Sequence, residues 1–69
     1  MYYTVETHYD NDIKSIASGL TKTQATRKAR ELSKAGERVT VSWFRVTDGQ
    51  HGYLNDDGNH EVTGRFWGR

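Results

Sequence analysis

The chain has 69 residues, no cysteine, no proline and a formal net charge of +1. A chain this short makes one domain, 1–69, that buries only about 60% of the surface its unfolded form exposes, which excludes a second lobe or a deep cleft. Disulfides and thiolate metal sites are excluded as well, so stability has to come from packing, local signals or a partner subunit.

Residues 2–9, Tyr-Tyr-Thr-Val-Glu-Thr-His-Tyr, are almost all β-branched or aromatic, and Tyr3, Val5, Thr7 and Tyr9 fall on one face. That pattern predicts a strand. The same N-terminal run has neither the basic start nor the apolar stretch of a signal peptide, and nothing in the chain approaches the ~20 apolar residues of a membrane span. The expectation is a cytoplasmic protein without a membrane partner. Asp10-Asn11-Asp12 supplies turn chemistry, since short Asx side chains bond their own backbone and tolerate the left-handed region. Residues 13–18 read either as a second strand returning along the first or as loop.

The helix start is the clearest local signal. Thr21 stands three residues before Gln24, the spacing at which each side chain satisfies the other's backbone N–H, and Leu20 and Ala25 flank the cap as a hydrophobic staple. The helix is expected over residues 22–35, ended by Gly36. Ala25, Ala29 and Leu32 recur at i, i+4, i+7, a narrow stripe of mostly small residues that lets the helix lie close to a sheet.

Residues 38–47 alternate strictly through Val39, Val41 and Trp43 and then shift to Phe44 and Val46. The shift suggests a bulge, or a strand buried on both faces beyond Trp43. Asp48-Gly49 marks a turn, Tyr53-Leu54 a short strand, residues 55–59 a tight turn carrying positive-φ positions, and residues 61–63 a closing strand. Residues 64–69 read as a final edge segment or an exposed tail. The fold class is therefore α+β: a small antiparallel sheet of three to five strands with one helix packed on one face, in the order β-(β)-α-β-β-β.

Charge is uneven along this plan. Residues 1–21 carry −2, residues 22–45 carry +5 from seven bases against Glu31 and Glu37, and residues 46–69 carry −2. Arg27, Arg30 and Lys34 share one helix face at i, i+3, i+7. A ridge of this kind meets phosphates or an acidic protein surface, its plain alternative being a solvated outer face. Aromatic residues are plentiful, which argues against disorder. Tyr2, Phe44, Tyr53 and Trp67, flanked by Arg45 and Arg65, would make a stacking platform if exposed. Tyr3 and Trp43 read as core.

His8, His51 and His60 sit at no metal-ligand spacing. Aligning Gly58 with the glycine of an EF-hand loop puts Tyr53 and Gly64 where acidic ligands are needed, so no calcium loop is expected. No phosphate-binding glycine loop, nucleophile elbow or zinc-protease motif occurs, and a pocket of ~300 Å³ is hard to carve from so small a core. The expectation is a non-enzyme without a cofactor.

In length, lack of cysteine and its order of strand, single helix and meander, the chain resembles the small accessory proteins of phages and other mobile elements, a group that includes several anti-CRISPR inhibitors. The resemblance spans the chain at the level of pattern. It implies an inhibitor in the host cytoplasm that binds and occludes a protein surface. Many such inhibitors imitate DNA with a dense acidic surface, whereas this helix is basic, so the implied target is an acidic or nucleic-acid-lined surface.

The expected contacts are Arg27, Arg30 and Lys34 on the helix, and Arg45, Phe66 and Trp67 on the sheet side. The rival expectation is direct nucleic-acid binding through the same ridge and the sheet aromatics. A homodimer joined along an exposed strand is the third, since open sheet edges pair readily.

Overall fold

The computed structural model describes residues 1–66, and they form a five-stranded antiparallel sheet with one helix. The strands are β1 (Tyr2–Tyr9), β2 (Asp12–Leu20), β3 (Val39–Phe44), β4 (Gln50–Leu54) and β5 (His60–Arg65), with α1 (Lys22–Lys34) between β2 and β3. Their spatial order is β2-β1-β3-β4-β5. Because β1 is antiparallel to both neighbours, β2 and β3 run parallel on either side of it, and α1 carries the chain across β1.

Alternation places Tyr3, Val5 and Thr7 under the helix, opposite Trp43, Val41 and Val39 of β3. Tyr3, Val5, Val41 and Trp43 are buried together with Ala25 of α1, and Leu20, Ala29, Leu32 and Leu54 close around them. Burying a side chain such as Val5 is worth about 1.5–3 kcal/mol, so these few positions dominate the stability of so small a domain. Trp43 satisfies its indole N–H by donating to the Tyr53 carbonyl at 3.2 Å. Tyr9, on the same alternation, is exposed at the end of β1.

The helix begins and ends as its local chemistry dictates. Thr21 Oγ1 accepts from the Gln24 N–H at 3.2 Å and Gln24 Oε1 accepts from the Thr21 N–H at 3.0 Å, the reciprocal cap. At the other end Gly36 adopts φ 90°, and the N–H groups of Gly36 and Glu37 donate to Ser33 and Leu32. That is the 5→2 and 6→1 pattern a left-handed glycine permits.

One open reading is settled and one expectation is corrected. Of the two readings of residues 13–18 the strand holds: they lie in the nine-residue β2, which pairs with β1 and whose outer edge has no strand neighbour among the described residues. The shift at Phe44 is neither a bulge nor a doubly buried strand: β3 ends there, and the Arg45 and Gln50 backbones close a turn in which Val46 is exposed. At the Asp10-Asn11-Asp12 turn an Asx side chain does bond nearby backbone, Asp12 accepting from the Ile13 N–H at 2.8 Å, while Asp10 and Asn11 stay out of the left-handed region. β4 and β5 also outrun the short strands expected of them, and residues 64–65 belong to β5.

α1 packs on β2, β1 and β3 alone, so β4 and β5 project beyond it. The face of the sheet away from the helix carries Thr4, Glu6 and His8 of β1, Thr40, Ser42 and Phe44 of β3, and His51 and Tyr53 of β4. No helix among the described residues is long and apolar enough to cross a membrane.

Candidate interaction surfaces

The outer face of α1 follows from the same periodicity that buries Ala25. With Ala25, Ala29 and Leu32 turned to the sheet, Arg27, Arg30 and Lys34 are exposed on the opposite side. They line one groove of about 440 Å³ with Lys22, Thr26 and Glu31. Three residues that sequence spacing put on one face therefore do share a surface, and Lys22 extends it by a turn. Lys28 lies apart, beside Ala17 and Leu20.

The charge of this groove is not cancelled from within. The ion pairs among the described residues are Arg45–Asp48 and Arg65–Asp48, and neither involves the helix. Glu31 lies one turn beyond Arg27 without pairing to it, in the weaker of the two sequence orders for such a pair. Helix stability does not account for the bases either. The first turn has no acidic residue and begins with Lys22, at the end of the helix dipole where a cation is disfavoured by a few tenths of a kcal/mol. Only Lys34 sits where the dipole welcomes it.

Arg45 is placed differently from what its sequence neighbours suggested. Its guanidinium donates to Asp48 Oδ1 at 3.0 Å, to Asp48 Oδ2 at 2.6 Å and to Gln50 Oε1 at 2.8 Å, clamping the turn after β3. Hydrogen bonds from Arg45 and from the Gln50 N–H, with further help from the Arg45 and Arg65 charges, hold the Asp48 carboxyl well below the usual carboxylate range. The same bond to Asp48 pushes Arg45 upward. This arginine fixes a turn, and its charge is already matched.

Phe66 lies on the far side of the sheet, 70% exposed. Its ring stacks on His51 with centroids 4.2 Å apart and leans on Phe44 at 5.9 Å. Trp67, the remaining expected contact, lies outside the described residues. The sheet aromatics and the helix ridge are thus on opposite faces of the domain. The expectation of a short strand at Tyr53-Leu54 leaves His51 off the sheet, whereas β4 starts at Gln50. Once the strand is extended by three residues, alternation puts His51 and Tyr53 on one face.

Two of the histidines have side-chain partners. His8 Nε2 lies 2.7 Å from Thr40 Oγ1, and His60 Nε2 lies 2.8 Å from the Tyr3 hydroxyl. No family model matches the chain, and no curated protein or solved structure matches it either.

Proposed function

We propose that this chain is a non-enzymatic interaction protein that seats the outer face of α1 on an acidic protein or nucleoprotein surface and blocks it. The observation that carries this reading is the groove of Arg27, Arg30 and Lys34, extended by Lys22, with no ion pair to a carboxylate among the described residues. Four bases against one carboxylate raise the potential over this face, and an anionic partner would supply the missing counter-charges. The resemblance to phage-encoded inhibitors of the anti-CRISPR kind fits this mode of action, in the cytoplasm of a host.

Fluorescent poly-L-glutamate is a suitable probe of the ridge. Arg27→Glu with Arg30→Glu is expected to weaken its binding at least tenfold while the melting temperature stays near that of the parent, because charge pairs at exposed sites are worth only about 0.2–1 kcal/mol to folding. Equal binding by parent and variant would remove the helix from the interface.

Nucleic acid is the second reading, favoured by the exposed rings of Tyr2, Tyr53 and Phe66. The two elements it needs lie on opposite faces, so a single strand lying flat cannot stack on the rings and meet the ridge at once. A mixed-sequence DNA or RNA strand that binds with a steep loss of affinity as salt rises would favour this reading. No binding at low salt would eliminate it.

A further inference from the structure

The open face of the sheet is the chemical opposite of the helix. Thr4, Glu6, Ser42, His51, Tyr53 and Phe66 line a depression of about 310 Å³ there. Glu6 stands on β1, with strands on both sides, and the residue is half-buried. Its cross-strand neighbours are Ser15 and Thr40, and it makes no hydrogen bond or ion pair among the described residues. Among the described residues no lysine or arginine lines the depression, and Glu61, opposite Tyr53, adds a second carboxylate on this face.

A carboxylate lacking a cation among the described residues is the electrostatic demand of the site, and exposed ring faces are its second feature. The stacked His51–Phe66 pair and Tyr53 present flat π surfaces beside that carboxylate. A planar cation satisfies both, stacking on rings while its N–H groups donate to an oxygen acid in a fork. Phosphate does not, because the two carboxylates repel it and no lysine or arginine among the described residues lines the depression to offset them.

We infer that this depression is a docking site for an arginine side chain of a partner protein, with Glu6 as the acceptor of the guanidinium and Tyr53 and Phe66 as the surfaces it stacks on. The hydroxyls of Thr4 and Ser42 lie beside it as further acceptors. The site is independent of the helix ridge, and the domain then carries two faces of opposite preference: one for anions, one for a guanidinium. A protein of that kind can bridge two partners, or grip a single one that offers both charges.

The test uses a blocked glycine-arginine-glycine peptide as probe, with citrulline and lysine versions as controls, titrated into the ¹⁵N-labelled full chain. The arginine peptide is expected to shift the amides of Thr4, Glu6, Ser42, His51 and Tyr53, with lysine weaker and neutral, isosteric citrulline ineffective. Glu6→Gln should lower the apparent affinity about tenfold, the usual worth of a charge-assisted pair, while an unchanged melting temperature reports an intact fold. Tyr53→Ser provides a second variant that leaves the carboxylate in place and should also weaken binding. Equal shifts with citrulline, insensitivity to Glu6→Gln, or shifts at these amides with AMP or UMP in place of the arginine peptide would overturn the assignment.

Discussion

Tyr3 and His60, 57 positions apart in the chain, are joined by a 2.8 Å hydrogen bond between the phenol oxygen and Nε2. The His60 ring also lies edge-on to Trp43, with centroids 5.2 Å apart. One side chain of β5 thereby reaches the core that α1 covers, although α1 itself does not pack on β5. Partial burial of the ring, and then the charge of Lys22, lower the His60 pKa below the ordinary histidine value.

The consequence is a signed dependence on pH. Unfolded His60 takes up a proton more readily than folded His60, so the unfolded state binds more protons through the histidine range and stability rises with pH there. On acidification the loss sets in below about pH 6.5 and levels off once folded His60 is itself protonated. Thermal unfolding followed between about pH 5 and 8 checks this. His60→Gln is expected to flatten that part of the profile, and an unaltered slope would detach it from His60. Asp48, held low by Arg45, contributes a separate loss at more acidic pH, as it becomes protonated.

Thr7 supplies a second prediction. Its hydroxyl is buried beneath the helix without a hydrogen-bond partner among the described residues. A buried unsatisfied polar group costs about 1–3 kcal/mol, so Thr7→Val is expected to stabilise the domain by roughly 1 kcal/mol. The urea midpoint should move upward with an unchanged slope. A fall in the midpoint would mean that the hydroxyl has a partner the structure does not hold, such as an ordered water.

Gly52 supplies a third. It pairs with Val62 at an irregularity in the β4–β5 register, and a β-carbon there would run into the Glu61 carbonyl. Backbone has nowhere cheap to go, so Gly52→Ala is expected to cost about 3 kcal/mol or more. Amide exchange should accelerate in β5 well before β1. Uniform protection in the variant would contradict this close approach.

Most of the fold was legible where burial imposes a period. Tyr3, Val5 and Thr7 face one way because the helix covers them, and Thr21, Gln24 and Gly36 announce a helix through local hydrogen bonding alone. β2 was legible only as one of two readings, because just Ala17 and Leu20 of its nine residues are even partly buried, and an edge strand with so little to hide carries no alternation. The end of β3 was hidden because Val46, apolar and β-branched, continues the look of a strand through what is a turn. The helix ridge could be read from spacing, whereas the partnership of Arg45 with Asp48 depends on turn geometry. The sheet-face depression needed the register of three strands, which brings Glu6, Ser42 and Tyr53 to one face from distant parts of the chain.

The central claim is that the exposed face of α1 recognises an anionic surface. Chemical-shift mapping of the ¹⁵N-labelled chain with poly-L-glutamate tests it most directly. The expected shifts are concentrated in Lys22–Lys34, centred on Arg27, Arg30 and Lys34, and abolished when Arg27 and Arg30 are both replaced by glutamate. Shifts confined to the sheet, or a helix untouched by the polyanion, would contradict it.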